Sequence, residues 1–470
     1  MIDEVQVHSR RHGSGLRLVQ FHVDKLFDEF TYTIPLNLKS HVTAIIAPNG
    51  AGKTLCLRMI SALFEKKWGV FTANAFTTAV YKFSDGSSVI VEQTATDLLG
   101  EDASVRRPLR ITIYGSSGNR ITEWVPPLHD PRRTSTTMER HLPFLTRVGP
   151  DTWRNDHTGE TVNTQEVIET YGHMIPEAVR ERFFGKAPDE LTAITNQIDC
   201  HLIETQRLLI LREDLNDPYR RSSRPPSTLA IARKAQALKS IISNEINVYA
   251  TLSQSLDRSF PKRVITHPTM LPSEDLKARL QDLDISRREL MAAGILDTEA
   301  DDPVGLPEGP LETAIARVLS VYVDDTRTKL SSLQRLLEKI KLFKELIDER
   351  FVTKDVHITR QNGIEVAYNG RNVPLEGLSS GEQHQLVLFF ELLFEIKHNS
   401  LILIDEPELS LHVAWQKKFI GDLLKIISLN EFDVILATHS PQLIGRWNDL
   451  VIELGDVYEG EGQALGDDQE

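Results

Sequence analysis

The sequence predicts an α/β fold, a mixed sheet with an antiparallel β subdomain, into which an α-helical, coiled-coil-like arm is inserted. Three observations predict it. The strand-like run His41–Ile46 leads into A-P-N-G-A-G-K-T, residues 47–54, and a helical pattern follows at once. The run L-I-L-I, residues 401–404, ends in two adjacent carboxylates, Asp405 and Glu406, before Pro407. Between these stretches, apolar residues recur every three or four positions over much of Gln206 to Arg350, the period of a helix face.

Bulk properties bound the answer. A chain of 470 residues is long enough for two or three domains, and 40% hydrophobic with 26% charged residues is ordinary for a soluble globular protein. A net charge of −14 excludes a general nucleic-acid binder. Cys56 and Cys200 are the only cysteines. They make neither a disulfide framework nor a metal cluster, which fits a reducing cytoplasm. No apolar run approaches the length of a membrane span, and Met1–Arg11 lacks the apolar core of a signal peptide.

Taken in order, Leu16–Val23 and Phe30–Leu36 alternate as strands do, with a turn near Asp28 and Glu29. His41–Ile46 is a third strand, and the helix after residue 54 runs through Leu55, Leu57, Met59, Ile60 and Leu63. Strand, glycine loop, Lys-Thr and helix form the context a phosphate-binding loop requires. Asn49, Gly50, Ala51 and Gly52 allow backbone N–H groups to turn inward around a polyphosphate. Lys53 reaches the outer phosphates, and the Thr54 hydroxyl ligates Mg²⁺. Ala47 stands where such loops usually carry a first glycine, at a strand exit where a small residue fits.

Phe71–Gly115 reads as antiparallel: Ala79–Phe83, a turn at S-D-G-S, Val89–Gln93, then Leu109–Tyr114. Trp124–Pro188 is irregular and carries the scattered His129, His141, His157 and His173, which are either a metal site or, as such histidines more often are, solvated or satisfied side chains. A short strand at Ile198 and beyond leads to Gln206, which opens the helical region. Gln206 is either an amide that touches a metal and an attacking water or a surface residue, and Gln93 is a weaker competitor. Pro261, Pro268 and Pro272 interrupt the helices once, and the acidic stretch 297–310 interrupts them again, before a final long helix from Leu311 to Arg350. Residues 206–263 hold eleven Arg or Lys against five acids. That excess is either a DNA or acidic-protein contact or a solvated helical face.

Val356–Ile358 and Ile364–Tyr368 make a hairpin around Asn362-Gly363. L-S-S-G-E-Q-H then opens a buried helix, Gln385–Ile396. Ser379, Ser380 and Gly381 present N–H groups and hydroxyls to an anion, and Ser379 with Glu382 also spells a capping box. The apolar run Leu401–Ile404 is buried on both faces, as parallel strands are. Two charges at its end are costly unless they bind something. A helix from about Val413 to Ser428 and a buried strand Phe432–Ala437 follow, ending in T-H-S-P with His439. From Trp447 the chain carries eight acids and no Lys or Arg.

These motifs, in this order, resemble those of the ABC/SMC-type P-loop ATPases. Asn49–Thr54 matches their Walker A, Leu378–Gln383 their signature, Leu401–Glu406 their Walker B and Leu409–His412 their D-loop. His439 matches their switch histidine, and Gln206 falls at the Q-loop position. The match covers about residues 1–115 and 350–445. It implies N-terminal (1–115) and C-terminal (351–446) ATPase lobes, an insertion (116–197), the helical arm (198–350) and an acidic tail (447–470).

The resemblance implies an ATPase using ATP and Mg²⁺. Asp405 and Thr54 would hold the metal, Glu406 would be the general base, and Gln206 and His439 would complete the catalytic group. Ser379, Ser380, Gly381 and Glu382 would contact the γ-phosphate bound by the opposite subunit, so the partner is a second copy at least, with higher homo-oligomers open. The motif set looks most like the stand-alone ATPases of bacterial anti-phage defence: the ATPase subunits of the PARIS and Septu systems, and the ATPase half of OLD-family nucleases. Only 31 residues follow His439, so a nuclease or toxin effector is expected on a separate chain. An SMC-like DNA-repair ATPase gripping DNA through 206–263, or a slowly hydrolysing assembly scaffold, are the alternatives.

Overall fold

Period-two alternation gives F-T-Y-T-I-P, with Tyr32 and Ile34 buried, and the middle of L-V-Q-F-H-V-D-K-L, with Phe21 and Val23 buried; Leu18 and Leu26 are buried out of that phase, where the pairing register shifts. The structure is a computed structural model. It describes residues 15–93, 108–126, 141–142, 144–149, 152–155, 161–163, 167, 185–204, 226–266, 271–297 and 312–454. In chain order the strands are β1 (Leu18–Leu26), β2 (Phe30–Pro35), β3 (Val42–Ile46), β4 (Thr78–Phe83), β5 (Ser88–Gln93) and β6 (Leu109–Tyr114). Next come β7 (Arg120–Trp124), β8 (Leu145–Arg147), β9 (Thr152–Asn155), β10 (Thr161–Asn163) and β11 (Cys200–Glu204). The last are β12 (Asp355–Thr359), β13 (Gly363–Tyr368), β14 (Arg371–Val373), β15 (Leu401–Asp405), β16 (Asp433–Thr438) and β17 (Val451–Glu453).

The chain divides into two units. The first takes Met1–Thr205, Lys397–Leu409 and Glu431–Glu470. It holds an antiparallel sheet in the order β2-β1-β4-β5-β6-β7 and a parallel sheet in the order β11-β15-β16-β3-β17. Parallel and antiparallel pairing thus fall in separate sheets. Every residue of β15 and β16 is buried, as a parallel strand covered on both faces requires. The core joins Phe21, Tyr81 and Phe71 to Leu401 and Leu403, and the buried Tyr81 hydroxyl donates to the Met59 carbonyl at 2.7 Å.

Three sequence boundaries change here. The stretch expected as an acidic tail contributes β17, which pairs with β3 (Val451 opposite Ala44) and occupies an edge that would otherwise expose unpaired backbone. Residues 455–470 lie outside the described residues. The insertion 116–197 gives β7 to the antiparallel sheet and forms a small antiparallel sheet, β10-β9-β8. His129, His157 and His173 lie outside the described residues, as do Gln206, Arg220, Arg221 and Arg224. The short strand expected at Ile198 and beyond is β11, and it belongs to the parallel sheet, so the segment 198–350 is not helical arm from its first residue.

The second unit takes Gln206–Ile396 and Ser410–Asn430. Its helices are Pro226–Thr266, Ser273–Ala292, Thr313–Ser331, Gln334–Asp348, Ser380–Phe390 and Val413–Asn430. The first two pack on Thr313–Ser331. Pro261 lies inside the first helix instead of ending it. Arg263 secures that turn, donating to the Leu256 carbonyl at 2.6 Å and to Asp325 at 2.7 Å. The expected final helix from Leu311 to Arg350 is two helices. Ser331 and Ser332 hydroxyls take the Thr328 and Lys329 carbonyls at the break, local bonds that compete with the helical ladder. In the first unit, no cluster of three metal-ligating side chains occurs among the described residues, and no described helix is long and apolar enough to cross a membrane.

Candidate functional site

The carboxyl ends of β3, β15 and β16 bring Thr54, Asp405, Glu406 and His439 together, at the edge where parallel α/β sheets bind ligands. Strand order decides this. β16 lies between β3 and β15, so the residues after Thr438 stand between the glycine loop and the Asp405–Glu406 pair. In register, Asp405 is opposite Ala437, and Thr438 is opposite Ile46.

The loop between β3 and the helix Lys53–Phe64 needs its glycines. Gly50 and Gly52 both have φ of +85°, a left-handed conformation that side chains disfavour. Gly52 caps the helix, so its backbone aims the first helical residues. Lys53 is 5% exposed. Its ammonium folds back on the loop, donating to the Ala47 carbonyl at 2.7 Å and the Pro48 carbonyl at 3.2 Å. The Thr54 hydroxyl donates to Asp405 Oδ2 at 2.8 Å. A hydroxyl and a carboxylate 351 positions apart thus meet at one point. These groups fit Mg²⁺, which takes few protein oxygens and completes its shell with water and substrate phosphates.

Glu406 sits at φ +46°, a conformation costing a non-glycine residue about 1–3 kcal/mol. Its N–H donates to the Ala437 carbonyl at 2.9 Å, which holds the strained backbone in place. The strain turns the Glu406 side chain off the strand, and its carboxylate lies 3.6 Å from His439 Nδ1.

Glu408 was not anticipated from the sequence. It is 7% exposed, and Oε1 accepts from the Thr438 hydroxyl at 2.7 Å and the His439 N–H at 2.9 Å. His439 Nδ1 lies 3.1 Å from the same oxygen. The available signal was a third acid in D-E-P-E, too close to the buried strand to be solvated. Thr438, fully buried, has the same standing.

Gln93 does not serve the site. Its amide donates to the carbonyls of Phe71 and Asn74, both at 2.6 Å, and its oxygen accepts from the Phe76 N–H at 3.2 Å. It ties down the loop 71–76 within the antiparallel sheet. Gln206 lies outside the described residues. The strand before it ends with Glu204 opposite Asp405.

In the second unit, Ser379 caps the helix Ser380–Phe390 in a reciprocal capping box with Glu382. Ser379 and Ser380 are exposed. The Glu382 carboxylate accepts from the Ser379 N–H at 2.8 Å and from Lys354 at 2.6 and 2.7 Å. Burial alone would lift this carboxyl, but Lys354 and Ser379 together hold it below the ordinary Glu value. Glu382 therefore shapes the motif, and the exposed serines and Gly381 form its open helix start.

The chain is 28% identical over 161 residues to UvrABC system protein A of Chlamydia trachomatis, covering 34% of this chain and 9% of that relative's length. Among solved structures it resembles an Smc head domain with an extended coiled coil bound to the C-terminal domain of ScpA, from Pyrococcus furiosus. The TM-score is 0.32 with 11% identity, covering 93% of each chain. An SMC head domain from Thermotoga maritima gives a TM-score of 0.29 with 12% identity, covering 91% of each chain. A family model matches residues 211–445, half of the chain. The chain belongs to that family, described as "AAA domain, putative AbiEii toxin, Type IV TA system".

Proposed function

We propose that this protein binds ATP with Mg²⁺ and hydrolyses it, that two copies close around two nucleotides, and that the cycle holds or activates a separate nuclease or toxin in an anti-phage defence system. One observation supports the chemistry above the rest: Thr54, Asp405, Glu406 and His439 converge at one sheet edge from three separate strands. Thr54 and Asp405 would hold Mg²⁺, which neutralises charge on the phosphates when bound. Lys53 would exchange its loop carbonyls for phosphate oxygens. Glu406 accepts the proton of the attacking water, and the glycine-loop N–H groups keep the phosphates in line. Ser379, Ser380 and Gly381 would meet the nucleotide of the other copy. The family description, which names a type IV toxin–antitoxin system, supports an effector context.

Glu406→Gln tests the reading. Turnover should fall by roughly 100-fold or more while ATP binding persists, and sedimentation should show an ATP-dependent dimer. Wild-type turnover in this variant would remove Glu406 as the base. A wild-type protein that binds ATP and dimerises without measurable turnover would leave the scaffold reading instead. The basic excess in 206–263 favours a second reading, contact with duplex DNA, which would appear as salt-dependent binding lost on neutralising Arg220, Arg221 and Arg224.

A further inference from the structure

We propose that Lys354 is a positioning residue for the helix start at Ser379–Gly381: it neutralises the Glu382 carboxylate, so that the N–H groups of Ser380 and Gly381 stay open to an anion. This rests on the proposed meeting of Ser379, Ser380 and Gly381 with the nucleotide of the other copy.

An acid in the first turn of an anion-binding helix is a conflict of charge. Glu382 is the third residue of the helix Ser380–Phe390. A negative charge there is stabilised by the same helix start that a polyphosphate would use. Left unpaired, the carboxylate would compete with the phosphate for those donors and repel it. Its hydrogen bonds go elsewhere. Oε2 accepts from the Ser379 N–H and the Ser379 hydroxyl, both at 2.8 Å, and from Lys354 Nζ at 2.7 Å. Oε1 accepts from the same nitrogen at 2.6 Å. Against the burial that would raise it, Lys354 as donor and charge, with the Ser379 donors, holds this carboxyl below the ordinary Glu value. The acid is therefore ionised at neutral pH and its charge is matched.

The counter-charge is also held in place. The Lys354 N–H donates to the Phe351 carbonyl at 3.1 Å, Phe351 is buried, and β12 begins at the next residue. The Lys354 and Glu382 side chains are 19% and 14% exposed, so water screens them less than a pair on open surface. The N–H groups of Ser380 and Gly381 lie ahead of the helical ladder, and the paired carboxylate leaves them to a ligand. Lys354 lies 28 positions from Glu382, outside the motif it completes.

Sedimentation of the full-length protein with Mg²⁺ and a non-hydrolysable ATP analogue tests this. Lys354→Met should weaken analogue-dependent dimerisation by roughly tenfold or more, because each site regains an unpaired negative charge. Analogue binding by the dilute monomer should change by less than about twofold, since the motif serves the nucleotide of the other copy. Adding Glu382→Gln to Lys354→Met should restore dimerisation to within about threefold of wild type, because glutamine keeps the capping box without the charge. Should Lys354→Met fail to fold, Glu382→Gln alone decides. It leaves the Lys354 charge uncompensated and should tighten dimerisation, less so at high salt. Unchanged dimerisation in Lys354→Met, no rescue in the double variant, or unchanged or weaker dimerisation in Glu382→Gln each overturns the proposal. A wild type that forms no analogue-dependent dimer overturns the reading beneath it, and the proposal with it.

Discussion

Replacing Gly52 by alanine should cost more stability than replacing Gly50, although both have φ of +85°. Each substitution pays the left-handed penalty, about 1–2 kcal/mol. Each also narrows the unfolded ensemble by the same amount, so that contribution cancels between them. The steric surroundings differ. A Cβ on Gly50 meets nothing within 4 Å, whereas one on Gly52 would lie 2.8 Å from Leu26 Cδ2 and 3.2 Å from Phe27 Cε2. Phe27 is 44% exposed and can move aside, but Leu26 is fully buried. Overpacking of a closed core costs about 1–3 kcal/mol. The total is therefore about 2–5 kcal/mol for Gly52→Ala against about 1–2 kcal/mol for Gly50→Ala. Urea unfolding without nucleotide measures the difference, with unchanged m-values showing that the surface exposed on unfolding is the same. Equal losses, or a larger loss at Gly50, would refute the packing argument. Because Gly52 caps the helix that carries Lys53 and Thr54, its variant should also bind ATP more weakly.

Gln93→Ala should leave the ATP-hydrolysis kcat within about twofold while lowering stability by about 1–3 kcal/mol, since it strips partners from the Phe71 and Asn74 carbonyls. A large fall in kcat with unchanged stability would instead return Gln93 to the nucleotide site. Lys339 supplies a pH dependence. Burial, and then the charge of Arg335, push its amine down to about 8, against the pull of Glu245. The folded state thus loses this proton before the unfolded state does, so stability should rise with pH between about 8 and 10.5. Lys339→Met should flatten that rise and raise stability at neutral pH, and denaturant titrations of both proteins across this interval decide it. An unchanged slope in the variant would show that Lys339 is not its source.

Local chemistry announces much of the fold. The apolar runs of β3, β15 and β16, the helix after Thr54 and the β12–β13 hairpin were readable because each carries its own periodicity or turn. Errors arose where neighbours outvoted local signals. Pro261 marks a break, yet Arg263 and Asp325 hold the helix through it. The acidic run after Trp447 suggests a tail, yet the edge of β3 recruits Val451–Glu453.

The candidate site divides along the same line. Asn49–Thr54, Asp405, Glu406 and His439 were picked out from the sequence because phosphate and metal chemistry would call for those residue types in short, ordered motifs. Their meeting is a tertiary fact: only the order β15-β16-β3 sets the Thr54 hydroxyl on Asp405 and His439 beside Glu406. Gln93 and Glu408 show the limit from opposite sides. A glutamine at a strand end resembles a metal contact until loop 71–76 is seen to take its amide. A glutamate after Pro407 resembles a solvated acid until β16 closes Thr438 and His439 over it. By itself the sequence determined which groups could do the chemistry. Which of them are held in place, and by what, depended on strand order, because hydrogen bonds between residues tens or hundreds of positions apart leave no local pattern to read.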